Sequence, residues 1–355
     1  MGVAAATIFV LETTTSRPFI LAGSTVSTML SVALPALSGT ASLSTAGLMD
    51  ALVKADASIV HTPSESHGRL FAVDLVGLNR RPVTCRDGIY MQPSSVATKL
   101  PIPDLVVVPG LDDDLNPSLE TNRAWVPWIA RWYASGSRIA SSCTGAFLLA
   151  EAGVLAGKAA TTHWLFAEEM RRRYPSVDVR ADRMIIDTGD VITSGGATAF
   201  LNLVLYLVER FGGHERASIA AKVLLIDGHR PSQLPYVAAL PDRSHSDPIV
   251  HEVQAHIDAH LDEPLRIKKL ASQFGLSDRT LTRRFVTATG RTPQAYLQHV
   301  RINHAKRLLE TTPDSIESIC HATGYLDPAA FRRAFKQITA MSPTGYRHAY
   351  APRLG

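Results

Sequence analysis

Two stretches of this chain carry residues that could do chemistry. In the run Ser141-Ser142-Cys143-Thr144-Gly145-Ala-Phe-Leu-Leu-Ala, an apolar strand-like segment leads straight into a helical pattern through one cysteine. That is the layout of a nucleophile elbow, which projects its side chain at the carboxyl end of a strand. A thiol there borders a helix N-terminus, whose potential predicts a pKa below that of a free cysteine. The Thr144 and Gly145 amides are placed to meet an anion. The second stretch is basic. Two predicted helices in the last third turn Asp278, Arg279, Thr282 and Arg283, and then Ala329, Arg332, Arg333 and Lys336, away from their apolar faces. A helix seated in the major groove reads base edges with such outward side chains while flanking cations meet phosphate.

The charge balance points the same way. The 355 residues hold 36 Lys+Arg and 32 Asp+Glu, a net +4. From residue 246 onward, 15 basic residues stand against 10 acidic; the first 245 residues carry 21 against 22. The excess positive charge is therefore in the last third, as a polyanion partner requires. With 46% hydrophobic and 19% charged residues, disordered, collagen-like and polytopic membrane chains are excluded. Three cysteines in a chain this long are no disulfide framework, which predicts a reducing, cytoplasmic setting. Residues 18–49 lack charge, but Ser and Thr interrupt them and no basic cluster precedes them, so no membrane partner is expected. His251, His256 and His260 stand beside carboxylates on a polar helix and are read as solvated. No metal and no cofactor are expected.

The elements that must position these groups divide into two kinds. Strands are predicted at 31–37, 70–77, 104–109, 138–142 and 191–194, and helices at 46–54, 120–133, 144–152 and 198–211. Strands alternating with helices specify an α/β sandwich around a parallel sheet. Pro231, Pro235 and Pro241 lie in a polar stretch that reads as a linker, and everything after it is helical in pattern. The expected organisation is an extension (1–30), an α/β domain (31–226), a linker (227–247) and an all-α domain (248–355).

The all-α part repeats itself at an offset of 50. Phe285, Thr289, Pro293 and Tyr296 recur as Phe335, Thr339, Pro343 and Tyr346, and Arg283 recurs as Arg333. Upstream of each copy lies a helix–turn–helix pattern. The turns are at Gly275 and Gly324, and Ser277 and Asp327 are placed to cap the second helices. A helix over 293–310 joins the copies. This paired motif resembles the AraC-type DNA-binding domain, which implies duplex DNA as partner. The sequence departs from that pattern at Ala340, where glycine is usual, and at Cys320, where a small alanine is usual.

The elbow, together with Ala160-Thr-Thr-His163-Trp164 and Val106-Val-Val-Pro109-Gly110, resembles the DJ-1/PfpI branch of the class I glutamine-amidotransferase-like superfamily. The nearest likeness is to the GlxA-type regulators, in which that flavodoxin-like α/β domain is fused to an AraC-type domain. The resemblance implies a sequence-specific DNA-binding transcriptional regulator, a homodimer, with a small-molecule effector held by Cys143, Thr144, Gly145, His163 and Gly110. An isocyanide hydratase of the superfamily shares the Cys-Thr-Gly elbow and the Thr-Thr-His-Trp run, so a cysteine-dependent hydrolase or hydratase carrying a DNA-binding domain is the alternative. Such chemistry needs an acid after the first strand. Here Ser44 takes that place, and an alignment through Ala22-Gly23 puts Ile20 there instead. Without the carboxylate no group is evident to move the proton, so no catalysis is expected and Cys143 remains a candidate nucleophile only. Asp50 is nearly two helical turns away.

Overall fold

A computed structural model describes residues 29–57, 69–226, 232–237 and 245–352. The extension expected over 1–30, and Ile20 with it, lies outside the described residues except for Met29 and Leu30.

Seven strands form the main sheet: β1 (Leu30–Pro35), β2 (Phe71–Gly77), β3 (Ser95–Val96), β4 (Leu105–Val108), β5 (Arg138–Ser142), β6 (Ile185–Asp187) and β7 (Val191–Ser194). Their order is β6-β7-β5-β4-β1-β2-β3, parallel throughout except for the β6–β7 pair. Strands buried on both faces need apolar residues on both, and Leu105-Val-Val-Val108 supplies them. Alternate side chains then enter two cores. Val32, Leu34, Val107, Ala140 and Ile192 pack with α1 (Leu48–Ala57), α6 (Ala199–Gly212) and α7 (His214–Val223). Ala33, Val106, Val108, Ile139 and Val191 pack on the other side with α2 (Leu115–Asn122), α3 (Val126–Ala134), α4 (Gly145–Glu151) and α5 (Ala167–Arg173).

The five predicted strands are all present. The helix predicted over 46–54 is preceded by a π-turn, Leu43–Gly47. That predicted over 120–133 is broken into α2, a short 3-10 turn at Arg123–Trp125, and α3. Pro127, in the first turn of α3, has no N–H to continue the upstream ladder.

The C-terminal region is all helix: α8 (Pro248–Ala259), α9 (Ile267–Gln273), α10 (Asp278–Thr289), α11 (Pro293–Thr311), α12 (Ile316–Ala322), α13 (Pro328–Thr339) and α14 (Pro343–Tyr350). It holds two cores, one per helix–turn–helix. Leu281, Phe285, Tyr296 and Leu297 belong to the first; Ile302, Leu309, Phe331, Phe335 and Tyr346 belong to the second. The 19-residue α11 contributes to both and spans about 28 Å at 1.5 Å per residue.

Candidate functional site

In an open parallel sheet, ligands gather where the carboxyl ends of neighbouring strands leave a crevice. Four loops meet at that edge here: the π-turn that follows β1 and contains Ser44, Gly110 after β4, Cys143 after β5, and Gly195–Ala197 after β7. Cys143 leaves β5 with φ 56°, a left-handed backbone that a non-glycine residue adopts only under constraint. The constraint is visible. Cys143 N–H donates to Ser194 O (3.1 Å) and Gly195 O (3.0 Å), and Thr162 Oγ1 donates to Cys143 O (3.0 Å). Gly145 lets the elbow close against β4, because a Cβ there would lie 2.5 Å from Pro109 O. Thr144 donates its hydroxyl to Leu111 O (2.9 Å), a bracing contact.

A Cβ on Gly110 would stand 3.1 Å from Cys143 Cβ, 3.4 Å from Ser44 Oγ and 3.5 Å from Thr144 Oγ1. Ser44 thus faces the elbow across Gly110. His163 joins from the other side. Its ring lies so close over Gly196 that a Cβ there would overlap His163 Cδ2 at 1.7 Å. Its Nδ1 accepts the Leu165 N–H (3.1 Å) and so caps the 3-10 turn Trp164–Phe166. Burial lowers the pKa of His163 despite the opposing charge of Asp113, which favours the neutral imidazole. With Nδ1 accepting, the proton of that neutral ring sits on Nε2. The ring then offers a donor, not a base.

The thiol departs from the sequence expectation. Burial pushes the Cys143 pKa above its ordinary value, outweighing the Ala197 and Thr144 amides that reach its sulfur. Asp113 raises both Cys143 and His163, so it is the carboxylate closest in effect to the elbow. It is solvent-exposed and paired with Arg86 at 3.5 Å. Its only sequence signal is the run Asp112-Asp113-Asp114. Asp50 pairs with Lys54 on the α1 surface at 2.7 Å. The histidines of the α8 region form two stacked pairs, His245–His251 and His256–His260, at 4.1 and 4.2 Å. Among the described residues no group of three or more His, Cys, Asp and Glu is placed to hold a metal.

The second site is the face of α10 and α13. Leu281 and Phe285 point into the first core, Phe331 and Phe335 into the second. Asp278, Arg279, Arg283, Ala329, Arg332, Arg333 and Lys336 are all exposed, and Thr282 is half-buried. Ser277 and Asp327 cap the two helices through Thr280 N (3.2 Å) and Ala329 N (2.8 Å). The units are locked together by Arg301, buried on α11, whose Nε donates to Leu261 O (3.0 Å) and whose guanidinium lies over Tyr325 at 5.5 Å.

A cysteine elbow in a parallel α/β sandwich, joined to a double helix–turn–helix, is thus the class that fold and site define. The DJ-1/PfpI family model matches residues 31–210, and the chain belongs to that family. A helix-turn-helix domain model matches residues 270–349, over the AraC-type pair. Among curated relatives, the HTH-type transcriptional regulator GbdR of Pseudomonas aeruginosa is 26% identical over 78% of this chain and 75% of its own length. The HTH-type transcriptional regulator GlxA of Rhizobium meliloti is 30% identical over 60% of this chain and 65% of its own. The isonitrile hydratase of Pseudomonas putida is 31% identical over 41% of this chain and 62% of its own. No described helix is long and apolar enough to cross a membrane.

Proposed function

We propose that this protein is a transcriptional regulator that binds duplex DNA through both helix–turn–helix units, as a homodimer on paired half-sites. Its α/β domain senses a small-molecule effector at the Cys143 elbow and does not turn it over. Cys143, Gly110, His163 and the backbone of Thr144 and Gly145 contact the effector. One observation carries the non-catalytic half: the group facing the elbow from the β1 side is the hydroxyl of Ser44, whose pKa lies far above neutral and which therefore makes a poor general acid or base. The neutral thiol and the Nδ1-tied His163 support it. The relatives named as HTH-type regulators support the DNA-binding half.

The test is turnover of isocyanides and simple amides by the purified full chain, with Cys143→Ala as the blank. No Cys143-dependent turnover is expected. Activity gained by Ser44→Asp would support a scaffold lacking only its proton-transfer group. Clear Cys143-dependent turnover by the wild type would establish the hydratase alternative instead, the reading that the likeness to isonitrile hydratase favours.

A further inference from the structure

Residues 232–237 run between the two regions, and polar contacts hold both ends. At the α/β end, Ser232 forms an antiparallel bridge with Arg183, and Gln233 N–H donates to Asp182 O (3.0 Å). The Gln233 side chain is 2% exposed. Its Nε2 is shared among Thr161 Oγ1, Thr162 O, Ala181 O and Arg183 O at 2.8–3.2 Å, and its Oε1 accepts the Gly196 N–H (3.1 Å). A Cβ on Gly195 would lie 2.4 Å from Gln233 Cδ. This amide therefore backs the Gly195-Gly196-Ala197 turn, which carries the His163 ring and sends an amide to the Cys143 sulfur.

At the helical end, the 3-10 turn Leu234–Tyr236 packs on α13, and the Tyr236 ring meets Tyr350 edge-on at 5.8 Å. Val237 O accepts from Lys306 Nζ (2.8 Å). Lys306 is 8% exposed, and its ammonium also lies over the Tyr346 ring at 5.5 Å. A buried ammonium that loses a carbonyl partner is costly, so this tie resists release.

We propose that residues 232–237 are a strap that transmits rearrangement of the Cys143 site to α13, the second recognition helix, with Gln233 as the sensing group. The inference rests on the reading of the elbow as an effector site. A ligand that shifts the 195–197 turn withdraws the Gly196 amide from Gln233. The strap then loosens along 234–237 and frees α13 to take another pose. The coupling is reciprocal, so DNA held on α13 tightens or loosens the elbow by the same factor.

Hydrogen exchange by mass spectrometry on the full chain tests this with two variants that remove no side chain of the apolar cores. Gln233→Glu is isosteric but sets a carboxylate against four acceptor oxygens; Lys306→Met cuts the other end. Each should speed exchange about tenfold at both 193–198 and 328–339, the effect of one lost buried hydrogen bond, with 278–289 unchanged. If one variant does not fold, the other decides alone, because each has a far side to report on. Changes confined to the variant's own region would overturn the proposal. A third arm modifies Cys143 with methyl methanethiosulfonate, using Cys143→Ser as control. Faster exchange at 328–339 supports both the strap and the effector reading. Coupling in the variants with no response to modification upholds the strap and removes the effector reading.

Discussion

The two helix–turn–helix units have interiors built on one pattern and differ in what surrounds them. Phe285 meets Tyr296 edge-on at 5.3 Å, and Phe335 meets Tyr346 in the same way at 5.5 Å. Thr289 and Thr339 each return a hydroxyl to the phenylalanine carbonyl four residues back, at 2.8 and 2.7 Å. Both recognition helices end in a left-handed residue, Gly290 (φ 71°) or Ala340 (φ 59°). Outside, they diverge. Among the described residues Arg279 and Arg283 have no ion-pair partner, whereas Arg332 is held by Glu317 (2.7 Å) and Arg333 lies 3.8 Å from Asp327. The strap meets the second unit through α13, Tyr350 and Lys306. A duplicated core can thus carry two duties: the first unit presents Arg279 and Arg283 unengaged, while Arg332 and Arg333 of the second face its own acids and the strap ties that unit to the α/β domain.

Breaking either interior should have the largest effect. Phe285→Ala and Phe335→Ala should each cost about 3–5 kcal/mol in urea unfolding of the full chain, with similar values for the two. A cost confined to one of them would mean that the units are not energetic copies.

Next come the surfaces. Arg283→Ala should weaken duplex binding by about 1–3 kcal/mol and relax sequence preference, if that side chain reads a base. Arg332→Ala should cost less, since DNA must first compete with Glu317. Gel-shift titrations over a salt series separate base reading from phosphate contact, because a phosphate contact lowers affinity for all sequences and shrinks the salt slope.

The caps sharpen the comparison by about 1 kcal/mol. Ala340→Gly should stabilise the chain and Gly290→Ala destabilise it by similar amounts, because only the left-handed backbone differs in cost. Equal thermal midpoints for Ala340→Gly and wild type would contradict this.

The smallest effect separates the units by pH. Arg284 of α10 holds Asp247 through a bidentate contact (2.8 and 2.9 Å), which keeps that carboxyl below its usual pKa. Ala334 stands at the matching place in α13. A depressed carboxyl stabilises the fold above its unfolded pKa of about 3.9, and that contribution fades as pH falls through the lower folded value. The stability difference between wild type and Arg284→Met should therefore be constant from about pH 5 to 7 and shrink below about pH 4, as followed by urea unfolding.

Much of this is written locally in the chain. Strands 138–142 and 191–194 and the caps Ser277 and Asp327 sit where short-range pattern places them, since apolar runs bounded by turn residues leave few options. Ala340 is legible as a strained cap through its offset from Gly290. What escaped depends on distant groups. Gln233 lies in a polar, proline-bearing stretch, and its role exists only because carbonyls from residues 162, 181 and 183 converge on it. The acidity of Cys143 is not legible for the same reason: the helix start is local, but the burial that raises its pKa comes from other loops. Helix α7 follows α6 across Gly213 alone, too short a break for periodicity to register as a second element.

Whether both units read DNA, with the first the stronger reader, is decided by selection from a random duplex pool with the full chain and with Arg283→Ala. For the wild type we expect an enriched sequence in which each half-site holds two conserved segments about 10 base pairs apart, the repeat set by one helical turn. Arg283→Ala should lose definition in one segment and keep the other. A wild-type pool with no enriched sequence would mean that neither unit reads DNA sequence.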